Sequence, residues 1–350
     1  MRRSRCLLGG LALAPLIVTM PLFIVFMFKV STRESSSWSG DAGGSMLSRP
    51  PGECWVFNHL NKAGGSTVKY MLWPWIEKYN ISSGVYDSDQ WRSGPEFARE
   101  FLQKKHTIAW GAYTEGLRPY GGQECKWFTT FRHPIDRLVS AYFYCKKGAV
   151  DGLCGTAVVR AQEVDLVTFA RHWGNFGLRQ FLYGDVSLAA VAASKANEPP
   201  GTNGKRHAAW WEMKRYFEHL AVERSADPAA AARYSDNMTS IEYPVLKTFL
   251  AQVKDRLNDR YAAVGILEDW PTTLRLFNAA IRLPNYDWEH APHVGKKNSN
   301  SVFRKEAEDA LRSAHGDPDI HEFIRLDILL YQHALEVHAK QVREYGVGDK

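Results

Sequence analysis

Two segments of this chain share one pattern: an apolar run, a tight basic turn, then a helix start. The first is Phe57-Asn58-His59-Leu60-Asn61-Lys62-Ala63-Gly64-Gly65-Ser66-Thr67. The second is Trp127-Phe128-Thr129-Thr130-Phe131-Arg132-His133-Pro134-Ile135-Asp136-Arg137-Leu138-Val139-Ser140. A strand that turns directly into a helix aims free backbone N–H groups and the helix's positive end at one point, where an anion can sit. One such turn holds one phosphate. Two imply a ligand with phosphates at both ends of a nucleoside. Strands that alternate with helices build a parallel sheet covered on both faces.

Each residue of the first turn has its own task. Gly64 and Gly65 let the backbone close around phosphate oxygens and permit positive φ. Ser66 or Thr67 can cap the following helix while a hydroxyl or N–H reaches an oxygen. Lys62 is a compact charge beside the phosphate. The order differs from the Walker A loop, in which the lysine follows the glycines. In the second turn Arg132 can grip a phosphate bidentately, and Pro134 redirects the chain. Ser140 follows about two helical turns later and can face the same side.

The same reading places strands at Trp55–Leu60, Thr107–Trp110, Lys126–Phe131 and Ala262–Leu267. Helices are expected at Thr67–Tyr79, Ile135–Tyr144, Val164–Tyr183, Pro244–Arg256 and Pro271–Ile281, and over Lys305–Gln341 with a break near Gly316-Asp317-Pro318. Residues 185–240 read as an expanded surface region, with a helix at Trp210-Trp211 packed back onto the domain. Asn285–Ser301 reads as a polar loop.

The two turns identify a resemblance. Lys62-Ala63-Gly64-Gly65-Ser66-Thr67 resembles the 5′-phosphosulfate loop of PAPS-dependent sulfotransferases, and Arg132-His133-Pro134 with Ser140 resembles their 3′-phosphate site. The likeness is greatest to the Golgi carbohydrate sulfotransferases of the heparan sulfate 2-O and 6-O group. Asn175-Phe176-Gly177-Leu178-Arg179, Val264-Gly265-Ile266-Leu267-Glu268 and Asp327-Ile328-Leu329-Leu330-Tyr331-Gln332-His333-Ala334 are similar to later family segments, in the family's order. Asn298 and Ser299 resemble the segment that closes over the nucleotide. The resemblance implies a P-loop-like α/β fold, a parallel sheet flanked by helices on both faces. It implies transfer of a sulfuryl group from PAPS, the co-substrate, to a hydroxyl of a carbohydrate acceptor. Lys62 would neutralise the leaving oxygen, the backbone from Ala63 to Thr67 would hold the 5′ end, and Arg132 and Ser140 would hold the 3′-phosphate.

The acceptor's base is where the pattern departs. Related enzymes place a histidine just before the second phosphate strand; here Trp110-Gly111-Ala112 stands instead. Glu115 is the nearest carboxylate and is expected to take the proton, with His106 and His59 as alternatives. Rival readings are a Golgi glycosyltransferase, for which Asp87-Ser88-Asp89 would hold a metal, and a catalytically inactive PAPS- or glycan-binding protein. Trp73, Trp75, Trp210 and Trp211 can stack on sugars, although core packing is the default for each.

Composition narrows the setting. The net charge of +6 includes Arg2, Arg3 and Arg5 at the extreme N-terminus, and no basic run is interleaved with aromatics, so nucleic acid is not an expected partner. Leu7–Phe28 carries no charge and is long enough to cross a bilayer. Residues 1–5 then read as a cytosolic tail, 6–28 as a transmembrane signal anchor, 29–51 as a flexible stem and 52–350 as a lumenal domain. This is the topology of a single-pass type II Golgi membrane protein. Cys54, Cys125, Cys145 and Cys154 allow three pairings. Strand adjacency favours Cys54–Cys125 and a short loop favours Cys145–Cys154. No Cys-x-x-Cys pair occurs, so no metal is expected. Asn80-Ile81-Ser82 and Asn237-Met238-Thr239 are glycan acceptors if lumenal.

Overall fold

The computed structural model describes residues 54–86, 101, 104–112, 114–120, 125–148, 154, 160–182, 244–292 and 303–348. Among them are five strands: β1 (Trp55–Asn58), β2 (Ser83–Val85), β3 (Ile108–Gly111), β4 (Lys126–Phe131) and β5 (Tyr261–Ile266). They form one sheet in the order β2-β3-β1-β4-β5, and every adjacent pair is parallel. The two strands that feed the basic turns, β1 and β4, are direct neighbours, with Trp55 opposite Lys126 and Asn58 opposite Thr129.

Strand side chains alternate between two faces. Trp55 and Phe57 of β1 meet Ile108, Trp110, Phe128 and Ala263 on one face. Helices α1 (Gly65–Lys78) and α6 (Trp270–Ala280) cover that face through residues such as Val68, Leu72, Leu274 and Phe277. Val56, Ala109, Trp127, Phe131 and Val264 point to the other face. It is covered by α2 (Pro134–Lys146), α3 (Leu166–Trp173), α4 (176–182), α5 (Pro244–Asp259) and α9 (Arg325–Tyr345). Two shorter helices, α7 (Arg304–His315) and α8 (Pro318–Phe323), precede α9. Burial on both faces explains why β1 and β3 read as continuous apolar runs.

The parallel α/β architecture agrees with the sequence, and the strand expected at Lys126–Phe131 has those bounds. Three differences have local causes. Ser83–Val85 was not anticipated; it is three residues long and carries no alternation to read. Val164–Tyr183 is two helices, because the chain reverses at Gly174 and Asn175, the latter at φ 55°. Lys305–Gln341 breaks at Gly316 as expected and again at Ile324.

Both expected cysteine pairs lie at bonding distance, with Cα–Cα separations of 4.6 Å for Cys54–Cys125 and 5.2 Å for Cys145–Cys154. No helix among the described residues is long and apolar enough to cross a membrane. The span expected over residues 6–28 lies outside them, as do residues 185–240, Asp87-Ser88-Asp89, Asn298 and Ser299.

Candidate functional site

Both basic turns leave the carboxyl ends of adjacent parallel strands, the end at which open α/β sheets bind ligands. In the first, Lys62 sits at φ 65° and Gly64 at φ 88°. Gly64 is the N-cap of α1, no side chain caps the helix, and its first turn has no acidic residue. The helix therefore opens with N–H groups that lack intrahelical acceptors. A Cβ on Gly64 would lie 2.9 Å from Leu267 Cδ1, and one on Gly65 would overlap the His59 ring. Gly64 is thus required by its positive φ, whereas Gly65, expected to share that freedom, is not at positive φ and is required by the close approach of the His59 ring. Ser66 and Thr67 follow in the first turn of α1, both half-buried.

The neighbouring strand and helices hold this turn in place. Thr130 Oγ1 donates to the Ala63 carbonyl at 2.8 Å, and Thr129 Oγ1 donates to the Asn58 carbonyl at 2.7 Å. Gln180 of α4 accepts from the Asn61 N–H at 3.1 Å and donates to the His59 and Ala112 carbonyls at 3.5 and 3.3 Å. Gln180 was not singled out from the sequence. Its partners lie far away in the chain, and no local pattern marks it.

The second turn meets the first. Arg132 Nη1 donates to the Lys62 carbonyl at 3.5 Å, and the Lys62 ammonium lies 4.0 Å from the centre of the Tyr144 ring on α2. Ser140 and Tyr144 are four residues apart on α2, hence on one face. Lys62 and Arg132 thereby meet beside the helix face that carries Ser140. Burial pulls the Arg132 guanidinium below its ordinary range, opposed by Asp136 and Glu268. Burial also lowers His133, which Asp136 partly offsets. The His133 N–H donates to Glu268 Oε1 at 2.8 Å, while Glu268 Oε2 accepts from Tyr331 OH at 3.0 Å. Glu268 therefore braces the second turn against α9.

The three candidate bases fall in different places. Glu115 is 1 % exposed. Its carboxylate accepts from Tyr261 OH at 2.6 Å and pairs with Arg118 at 3.4 Å and Arg256 at 3.5 Å. Tyr261 OH in turn accepts from Asn58 Nδ2 at 3.0 Å. Burial, then the Glu115 charge, pushes the Tyr261 phenol up, so it stays a donor. Glu115 is thus an engaged member of a buried network. Glu115→Gln should destabilise the fold by roughly 1–3 kcal/mol, because two guanidinium groups lose their counter-charge. Chemical denaturation of the full chain checks this, and an unchanged midpoint would contradict it.

His106 precedes β3, at the amino edge of the sheet, opposite the end from which both turns leave. There its Nδ1 lies 3.1 Å from Ser82 Oγ, and burial, then Lys104, lowers its pKa. The structure does not bring it to the turns. His59 does border the first turn, with its ring against Gly65 and stacked at 6.1 Å on Phe57. Trp75 is buried and donates to the Pro284 carbonyl at 2.8 Å, a core role, whereas Trp73 is 50 % exposed.

Two segments that resembled family motifs turn out to cap each other. Asn175 Oδ1 accepts the Leu326 and Asp327 N–H groups at 2.9 and 3.1 Å, at the start of α9. Asp327 accepts the Gly177 and Leu178 N–H groups at 3.1 and 2.8 Å, at the start of α4, and also pairs with Arg137. Arg179 closes the end of α3 by donating to the Trp173 and Gly174 carbonyls at 2.7 and 2.5 Å.

No protein-family model matches the chain, and no curated protein matches it either.

Proposed function

We propose that the protein is a PAPS-dependent sulfotransferase acting on a carbohydrate hydroxyl. The observation that carries the reading is the meeting of the two basic turns: Arg132 touches the Lys62 carbonyl, and Lys62 rests on the helix that carries Ser140. A nucleotide with a 5′-phosphosulfate and a 3′-phosphate needs two anion sites on one short span, and adjacent parallel strands supply it. The backbone from Ala63 to Thr67 holds the 5′ end in this reading. Arg132 and Ser140 hold the 3′-phosphate. Lys62 neutralises charge that grows on the leaving oxygen, which is where a preorganised cation has its greatest effect.

The acceptor oxygen attacks sulfur in line, the S–O bond to the leaving phosphate breaks, and a base takes the hydroxyl proton. Of the three candidate bases, His59 is the one that borders the first turn. In this reading the fold is P-loop-like, and the protein sits in the Golgi membrane, held by a type II anchor over residues 6–28. Two cysteine pairs at bonding distance and an exposed Asn80 sequon favour an oxidising, glycosylating compartment.

Radiolabelled PAPS offered with a panel of glycan acceptors tests the activity. Transfer of label to a glycan is the expected result. Binding of PAPS with no transfer to any acceptor would favour the inactive binding protein instead. Protease digestion of intact microsomes tests the topology, and loss of the C-terminal domain without detergent would reject it.

A further inference from the structure

Beside the second turn, three metal-binding side chains converge from two helices. His133 is the N-cap of α2, Asp136 lies in its first turn, and His315 is the last residue of α7. Their donor atoms lie within 4.8 Å of one another. His315 Nε2 is 3.3 Å from Asp136 Oδ1, and the two imidazole rings are 5.1 Å apart between centroids. Bonds of about 2.0–2.1 Å to a tetrahedral zinc ion put neighbouring ligand atoms roughly 3.3–3.4 Å apart. One edge of the triangle already has that length, and the other two are no longer than 4.8 Å.

The surroundings suit a site rather than a chance encounter. The backbone at both histidines is held: the His133 N–H by Glu268, and the His315 carbonyl by His321 Nε2 at 3.0 Å. His133 Nδ1 is buried and has no hydrogen-bond partner among the described residues. A surface ion pair accounts for Asp136 and His315, while the His133 ring packs edge-on against Tyr331 at 5.5 Å and leaves its Nδ1 without a hydrogen bond. His315 is 47 % and Asp136 25 % exposed, so an ion can enter from solvent. The neighbouring cation, Arg132, reaches to the Lys62 carbonyl.

We propose that His133, Asp136 and His315 bind one divalent transition-metal ion of the zinc class, with an open coordination position left for water or an anionic oxygen. Two imidazoles and one carboxylate form a donor set that favours zinc, copper or nickel over magnesium or calcium. The absence of a Cys-x-x-Cys pair left no metal expected from the sequence. Local spacing could not show this site, because Asp136 and His315 are 179 residues apart. Bound there, the ion would pin the start of α2, one residue beyond Arg132, to the end of α7. This inference is independent of sulfuryl transfer, and its test needs no nucleotide.

The test uses the full chain in detergent, stripped with a chelator and then titrated with zinc chloride by calorimetry and with cobalt chloride by visible absorption. The wild-type chain should bind one ion that His315→Ala does not, and Asp136→Asn should weaken binding by at least about 10-fold. The tetrahedral cobalt bands should appear in wild type and vanish in His315→Ala. His315 is about half exposed, and its loss should leave the fold intact, which circular dichroism of the variant checks. His290→Ala removes an imidazole paired with Asp287 at 2.7 Å outside this cluster, and it should bind as wild type does. A wild-type chain that binds no ion would overturn the proposal, as would His315→Ala and Asp136→Asn chains that bind like wild type.

Discussion

Asp327→Ala should lower the stability of the folded chain by about 3–5 kcal/mol, the usual effect of removing one member of a buried ion pair. Asp327 and Arg137 are each 4 % exposed. Burial disfavours the Arg137 charge, and Asp327 opposes that effect. Without the carboxylate the guanidinium is left in the core with no counter-charge. The two N–H groups at the start of α4 lose their acceptor in the same step. The space is also closed to rearrangement, because a Cβ on Gly177 would come within 2.7 Å of the Arg137 guanidinium. Chemical denaturation of the full chain measures the change. Arg137→Ala should have an effect of similar size, and the double variant should be far from additive. A loss below about 1 kcal/mol for Asp327→Ala would show that the pair is not the lock between α2, α4 and α9.

Lys62→Ala should reduce turnover by roughly 10²–10³-fold, the range seen when one preorganised group is removed from a developing negative charge. PAPS affinity should fall far less, because the charge acts mainly in the transition state. Lys62 is half-buried, and the alanine keeps the backbone carbonyl that Arg132 contacts, so the turn itself should survive. Arg132→Ala should behave in the opposite sense, with weakened nucleotide binding as its main effect. Single-turnover kinetics with equilibrium binding separates the two. Equal and modest losses of rate in both variants would contradict the assigned roles.

The parts of the fold that the sequence exposed are the parts written in short-range pattern. β4 has the bounds expected from the sequence, and β5 begins and ends one residue earlier than expected. Gly64 needs glycine for the turn that the sequence predicts, whereas Gly65 needs it because the His59 ring packs against it, a contact only the fold shows. The pairing of Cys54 with Cys125 followed from one inference, that the strands before the two turns are neighbours. The hidden parts are contacts between distant residues. Gln180 grips a turn 119 residues away, Glu268 holds His133 across 135, and Asp327 pairs with Arg137 across 190. None of these has a spacing that a periodic reading can detect. Glu115 shows the same limit from the other side. Its position near the expected base was visible, but its role was decided by Tyr261 and Arg256, 146 and 141 residues on.

The Cys54–Cys125 bond joins the chain just ahead of β1 to the chain just ahead of β4. Both basic turns leave the opposite ends of those strands. The pair behaves like a two-tined gauge riveted at the base, with the hydrogen-bond ladder along its length and a basic turn at each tip. Closing a loop of 71 residues removes unfolded-chain entropy equivalent to about 4 kcal/mol. The bond and the strand ladder both form during folding, so the two tips are held side by side before any ligand arrives. In a nucleotide, covalent bonds limit the distance between its two phosphates. On the proposed reading, such a gauge favours ligands whose two anions match the gap, whatever the base or sugar between them.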